Sequence, residues 1–326
     1  MQRLLRRSAH TNITKILRKT HQADVALIMR NLNQYDQNTI FSLCPTALHK
    51  ARLLEELDEA LIEKVLENES SKTISKIFRY LDTNDQATII SMFSEDKQNE
   101  ILKIIEVDDK EEVEEIMSYP DDSAGSIMTK ETFTLDQNTS VKDSIKKLQS
   151  FPENDKIFYL YVLDKKEKLV GVVSLRTLVT SKNSKKLKDI MIKDIQAATT
   201  DTDQEEVAKK VAQYNYLALP VVNRQNRFLG IVTIDDVVDI IREEASEDFL
   251  QMAGVGKDRE ILLKSPFENA QSRAPWILAS LIGGICAAAI ISYFNNLLEQ
   301  IIVLAAFIPV IIGIGGNVGT LSLIHI

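Results

Sequence analysis

The pattern of apolar and polar positions along the 326-residue chain changes character twice. From Met1 to Met117, apolar residues recur at helical spacing in short runs broken by Asn, Asp and Ser, as in "VALIMRNLNQYDQNTIFSL" from Val25. That spacing predicts short amphipathic helices. The stretch returns, shifted by 49 residues, as "ISKIFRYLDTNDQATIISM" from Ile74. Arg30, Leu32, Asp36, Gln37, Thr39, Ile40 and Ser42 recur as Arg79, Leu81, Asp85, Gln86, Thr88, Ile89 and Ser91. "LLEELDEALIEKVLENE" between the copies has similar spacing. The simplest unit is about half that shift, one helix pair, and such units stack because none can bury its apolar face alone. Residues 1–122 are expected to form an all-α, right-handed superhelical domain.

From Ser123 to Glu247 the pattern mixes two periods. "SIMTKETFTLDQNTSVKDSIKKL" resembles "DIMIKDIQAATTDTDQEEVAKKV", and "YVLDKKEKLVGVVSLRTLV" resembles "PVVNRQNRFLGIVTIDDVV". Ile127-Met128 recurs as Ile190-Met191, and the first copy carries four extra residues near "SFPEND". Each copy reads as strand, amphipathic helix, β-branched strand, polar turn, second strand and helix. Two such β-α-β-β-α units are expected to cover each other's sheets.

This region resembles a tandem pair of CBS domains, with "LPVVNRQNRFLGIVTIDDVVDII" carrying the likeness. The expected boundaries are 123–186 and 187–249. The resemblance implies a regulatory α/β module that often binds adenosine nucleotides such as ATP. A nucleotide-binding unit of this kind places a carboxylate on the ribose at the end of T-x-x-D; Thr233 to Asp236 fits, whereas the first copy has Ser174 and Thr177.

Beyond a connecting helix expected over 250–272 and interrupted at Pro266, charge nearly vanishes. Ala274 to Phe294 is 21 residues without a charge, long enough to span a bilayer core of about 30 Å. Trp276 and Tyr293 suit its two interfaces. "NNLLEQ" reads as a short loop, and a second span is expected at 301–320 within a membrane segment of 273–320. Basic residues precede the first span and the loop has none, so the N-terminal domains are expected in the cytoplasm. Pro309, Gly313, Gly315, Gly316 and Gly319 weaken a helix, and Asn317 adds a polar side chain. Such a run fits either broken backbone lining a hydrated pore or a close small-x-x-x-small helix crossing.

Charge refines the picture. The formal net charge is −8, which argues against a nucleic-acid binder. Cys44 and Cys286 show no zinc or disulfide spacing, and "MQRLLRRSAH" is followed by no apolar signal region. No nucleophile motif, P-loop or metal triad points to an enzyme. The densest acidic stretch is "TIDDVVDIIREEASEDF". Its Asp236, Asp239, Glu243 and Glu247 share one helical face, where like charges repel by roughly 0.2–0.5 kcal/mol per pair. That face is either a solvated surface or half of a site for a hard cation such as Mg²⁺. "DTDQEE" (Asp201 to Glu206), Asp82, Asp85, Glu95 and Asp96 are candidate facing acids.

"YPDDSAGSIMT", "DTDQEEVAKKVAQYNYLALPVV", "GIVTIDDVVDIIREEASED" and "FIPVIIGIGGNVG" occur in the order seen in the MgtE family of magnesium transporters, which the chain resembles over almost its whole length. The resemblance implies a homodimeric, multi-pass channel of the cell membrane, in contact with lipid, paired through its CBS and membrane domains. It implies a plug helix before a membrane domain of five helices, of which two would be present here. It also implies that intracellular Mg²⁺ bridges the acidic cytoplasmic domains and closes the pore. The regulatory ligands carried over are Asp203, Glu205, Asp236, Asp239, Glu244 and Glu247; Asn84, Thr88 and Asn215 stand where relatives can have acids. A CBS nucleotide sensor with a membrane tail, and a transporter of another divalent ion such as Co²⁺, are the alternatives. The family motif continues G-G-N-x-G-x-Q, but Leu321 stands where Gln is expected. "LSLIHI" translates CTG-TCT-CTT-ATA-CAC-ATC, a transposase-adapter end. Residues 321–326 are therefore expected to be a sequencing artefact on a truncated reading frame.

Overall fold

The computed structural model describes residues 2–67, 69–105, 107–151, 157–252, 266–295 and 302–323. The chain forms two compact units, Met1–Ile241 and Arg242–Ile326. In the first, short helices follow one another: α1 (Gln2–Arg6), α2 (His10–Leu17), α3 (Gln22–Met29), α4 (Gln34–Ser42), α5 (Ala47–Leu54), α6 (Glu59–Leu66), α7 (Ser71–Phe78), α8 (Thr83–Ser91), α9 (Glu95–Leu102) and α10 (Val107–Met117). Contacts run between alternate helices. The helices α3, α5, α7 and α9 make one row, and α4, α6 and α8 another. This is the packing expected of stacked helix pairs. One apolar cluster runs through them from Leu5 to Ile116, with Ile13, Met29, Ile40, Ile74 and Ile90 fully enclosed.

The 49-residue repeat has a hydrogen-bonding reason. Gln37 Nε2 donates to the carbonyls of Met29 and Leu32, both at 3.0 Å. Gln86 Nε2 donates to Phe78 and Leu81 at 3.1 and 2.9 Å. Each glutamine is buried and ties down carbonyls at the end of the preceding helix, where intrahelical donors run out. Gln98 repeats the bond to Phe93 at 2.8 Å.

The next elements are α11 (Ala124–Ile127), β1 (Thr134–Asp136), α12 (Val141–Gln149), β2 (Tyr159–Leu163), β3 (Leu169–Ser174) and α13 (Leu175–Thr180). They are followed by β4 (Ala198–Thr199), α14 (Gln204–Tyr214), β5 (Ala218–Val222), β6 (Phe228–Thr233) and α15 (Ile234–Met252). Both copies build a three-stranded sheet in sequence order, with the first pair of strands parallel and the second antiparallel. The sheets face each other across a cluster containing Tyr161, Leu169, Ala218, Val222 and Ile231. There Tyr161 of β2 stacks on Phe228 of β6 with ring centres 5.1 Å apart. The edges are exchanged as well. Ile192, near the start of the second copy, pairs with Val172 of β3, while Thr129, near the start of the first, pairs with Ile231 of β6. Met191 and Met128 press against Gly171 and Gly230 in these strands, and a Cβ at Gly230 would lie 2.5 Å from the Thr129 carbonyl oxygen.

In the second unit, α16 (Pro266–Tyr293) begins at Pro266, a residue suited to a helix's first turn. Its Arg273–Tyr293 part has a mean hydropathy of 2.1 and no burial inside the chain; among the described residues it alone is long and apolar enough to cross a membrane. The second expected span differs from the helix predicted at 301–320. Ile302–Phe307 is a 3₁₀ turn, and α17 (Ile308–Leu323) is a helix of 16 residues. Pro309 falls in its first turn, where a missing N–H costs nothing, and the helix continues unbroken through Gly313, Gly315, Gly316, Asn317 and Gly319. Of the two readings of this run, the broken backbone is not formed. The middle of the expected connecting helix, most of "NNLLEQ", the last four residues of "SFPEND" and the last three residues of "LSLIHI" lie outside the described residues.

Gln86→Ala leaves the Phe78 and Leu81 carbonyls without their donor inside a packed turn. It should lower stability by about 1–3 kcal/mol, read by urea unfolding, with Gln37→Ala similar and Gln98→Ala smaller.

Candidate functional site

The start of α15 is set by a side-chain cap. Thr233, fully buried at the end of β6, donates its hydroxyl to Asp236 at 2.6 Å, and its N–H points at the same carboxylate at 3.4 Å. The first copy makes the analogous cap with hydroxyls: Ser174 Oγ accepts from the Thr177 N–H at 3.1 Å and sits 2.9 Å from the Thr177 hydroxyl. The T-x-x-D carboxylate is thus held at the strand–helix corner of the second copy alone.

From that corner α15 runs without interruption for 19 residues. Val237 and Ile240 fix one side in the apolar cluster of the second copy. Asp239 is exposed; Asp236, Glu243 and Glu244 are half-buried, and Glu247 is buried. All five of these acids lie on α15.

Asp203 and Glu205 lie elsewhere, at the start of α14. The exposed Asp203 caps that helix by accepting from the Glu205 N–H at 2.8 Å. Glu205 pairs with Lys209 at 2.8 Å and Glu206 with Lys210 at 3.0 Å. The Thr199 hydroxyl and Arg224 hold the Asp201 carboxyl below its usual range, and Arg224 lies 3.2 Å from it. This corner is pinned to the chain ahead of the first copy by Ala124 N–H to Thr202 O at 2.7 Å and Gln204 N–H to Asp122 O at 2.8 Å. Asn215 ends α14 in a left-handed conformation with φ of 54°, a role asparagine fills readily. Among the described residues, no three Asp, Glu, His or Cys side chains converge where they could hold a metal ion. One chain therefore offers carboxylates in ones and twos, the number by which Mg²⁺ is commonly held while it keeps several waters.

A second polar site, invisible in sequence, joins the helical domain to the paired sheets. Glu131 accepts from the Thr83 hydroxyl at the start of α8, at 2.7 Å, and from Thr129. Lys130 pairs with Glu115 of α10, which also accepts from the Tyr119 hydroxyl at 2.9 Å. Burial opposes the Glu115 charge, but the bonds from Lys130 and Tyr119 and the charge of Lys130 prevail, so its pKa is lowered. Burial and that bond push the Tyr119 hydroxyl up to about 12. Asn84 and Thr88 share α8 with Thr83, and Asn84 is buried with an unbonded side-chain oxygen.

A family model for the MgtE intracellular N domain matches residues 20–122, and the CBS-domain model matches 124–183 and 187–243. A magnesium transporter MgtE of Bacillus subtilis is 35% identical over 321 residues, covering 94% of this chain and 71% of that protein. The chain belongs to the MgtE family. MgtE proteins of Enterococcus faecalis and Thermus thermophilus are 37% and 35% identical over 213 residues, in each case 47% of the relative's length. Among solved structures, the cytosolic domain of the Mg²⁺ channel MgtE in complex with ATP superposes with a TM-score of 0.69 at 28% identity. It covers 73% of this chain and 98% of that one. The helical N domain and the CBS pair thus match the MgtE cytosolic domain.

The direction of the Glu115 shift sets a pH dependence. Its ionised form stabilises the fold fully above the unfolded carboxyl pKa, and this is lost as pH falls through the lowered folded value. Lys130→Met removes a bond and a charge that lower it and leaves burial opposed by the Tyr119 bond and the charge of Arg227. The variant should lose about 1 kcal/mol at neutral pH and begin acid unfolding at higher pH than the parent, as followed by circular dichroism.

Proposed function

We propose that the chain is a subunit of a magnesium transporter or channel whose cytoplasmic domains sense intracellular Mg²⁺. The reading is carried by the 35% identity to the Bacillus subtilis magnesium transporter across 94% of this chain. In it, Asp203, Glu205, Asp236, Asp239, Glu244 and Glu247 bind hydrated Mg²⁺. The acidic face of α15 gains most, because a divalent ion relieves the repulsion among carboxylates one turn apart. Because single chains present these acids in small groups, the full ligand sets form between copies of a homodimer, paired through the CBS and membrane domains. The segment 273–320 spans the cell membrane, with the domains before it in the cytoplasm. Pro309, Gly313, Gly315, Gly316, Asn317 and Gly319 supply a pore-side helix whose missing side chains admit close neighbours.

A second ligand is favoured by one observation: a carboxylate is fixed at Thr233–Asp236 in the second CBS copy and replaced by hydroxyls in the first. ATP would be held there through its ribose, as a ligand of the second copy alone.

Millimolar Mg²⁺, against K⁺ at equal ionic strength, should protect α15 from proteolysis. Asp239→Asn with Glu247→Gln should raise the Mg²⁺ midpoint by about tenfold or more. Protection by ATP without any effect of Mg²⁺ would favour a nucleotide sensor instead. For the sensing role, a chimaera carrying residues 1–272 of this chain in place of the matching part of the Bacillus subtilis transporter should restore growth of a magnesium-requiring strain, with uptake that falls as internal Mg²⁺ rises. Uptake indifferent to internal Mg²⁺ would reject the sensing role.

A further inference from the structure

The two CBS copies share one topology but carry opposite charge. Ser123 to Lys186 holds twelve Lys and Arg against seven Asp and Glu; Leu187 to Phe249 holds seven against thirteen. The fold does not demand this, since the acidic copy builds the same sheet.

Six of the twelve basic residues lie on α12 and on the segment that follows α13. The helix α12 turns Val141 and Ser144 inward and leaves Lys142, Lys146 and Lys147 exposed. The segment after α13 is laid along its start by bonds from Val141 N–H to Lys185 O at 2.9 Å, Lys142 N–H to Asn183 O at 3.2 Å and Leu187 N–H to Thr139 O at 3.0 Å. These bonds set Lys182, Lys185 and Lys186, all exposed, beside Lys142. The acids near them are engaged: Asp143 accepts from the Ser140 hydroxyl at 2.6 Å, and Asp189 from the Lys186 N–H at 3.1 Å. Among the described residues, lysine ion pairs are made by Lys50, Lys110, Lys130, Lys209 and Lys210, and none by these six. The repeat supplies its own comparison. Lys146 and Lys147 align with Lys209 and Lys210, which Glu205 and Glu206 neutralise.

We propose that this lysine face docks on an anionic lipid surface, a role that rests on the membrane reading above. The charges are complementary, and each lysine near an anionic leaflet adds about fivefold in affinity, or ~1 kcal/mol. A span at Arg273–Tyr293 would tether the face to a bilayer, raising its effective concentration there. A flexible polyanion such as nucleic acid would also meet the acidic second copy and a net charge of −8, whereas a planar bilayer can be met by one face alone.

The test is amine acetylation of the whole chain in nanodiscs of phosphatidylcholine with or without phosphatidylglycerol, read peptide by peptide. Phosphatidylglycerol should slow labelling of Lys142, Lys146, Lys182, Lys185 and Lys186 several-fold and leave Lys209 and Lys210 unchanged. Molar salt, with a Debye length of about 3 Å, should remove the effect. The triple variant K182E/K185E/K186E should abolish it at Lys142 and Lys146 without altering the thermal melt. Equal labelling in both lipids, or slowing that the variant retains, would overturn the proposal. Recovery of the chain outside the discs would count against the membrane span. Labelling of the free chain with added phosphatidylglycerol vesicles then decides the lysine face separately.

Discussion

Each three-stranded CBS sheet has an edge that must be covered, and each is covered by the segment leading into the other copy. Thr129 exchanges two backbone bonds with Ile231, at 2.8 and 3.0 Å, and Ile192 exchanges two with Val172, at 3.0 and 2.9 Å. Gly171 and Gly230 let Met191 and Met128 approach these strands. An unpaired edge would invite other chains, and a side chain at either glycine would push the covering segment off. The chain running back from Thr129 is the one that pins the start of α14, through Ala124 and Thr202. The strand that Thr129 covers ends at Thr233, where Asp236 caps α15. Both groups of acidic residues therefore hang from one exchange. Their placement in a single chain follows from how the two copies close each other's sheets.

How legible this was from the residues depends on the range of the interaction. Periodicity reports local burial, so the helix pairs, the β-α-β-β-α order and the unbroken acidic helix could all be read directly. The 49-residue repeat was visible too, but the meaning of Gln37 and Gln86 was not. A buried glutamine bonding carbonyls five and eight residues back looks like any polar position in a helix. Glu131 and Glu115 left no signal, because their partners lie 48 and 15 residues away and only tertiary packing brings them together. The glycine-rich ending left two readings open, for an energetic reason. Gly costs a helix about 1 kcal/mol each, which weakens it without imposing a break, and Pro309 sits where a helix tolerates it. The ligand residues carried over from the resemblance lie on α14, at its start, and on α15, but spacing along a chain says nothing of which acids face one another.

The link between the helical domain and the CBS pair differs in kind from what holds either part together. Inside the helical domain the cohesion is apolar, from Leu5 to Ile116 in one cluster, while the CBS clusters are separate and begin at Ala124. Between them stand Thr83–Glu131 and Lys130–Glu115, with Tyr119 of the helical domain packed against a CBS cluster. A hydrogen bond contributes a net of about 0.5–1.5 kcal/mol, somewhat more with a charged partner, so the polar part of this joint amounts to a few kcal/mol. A ligand at a hundred times its dissociation constant shifts an equilibrium by about 2.7 kcal/mol if it binds only one of two states. The two quantities are of one size. A cation held by acids of both parts could therefore decide whether they stay docked, whereas a joint built as a continuous apolar core would be indifferent to it. Buried Asn84 on α8 adds no charge at that joint, whereas Lys130 and Glu115 meet across it as an ion pair.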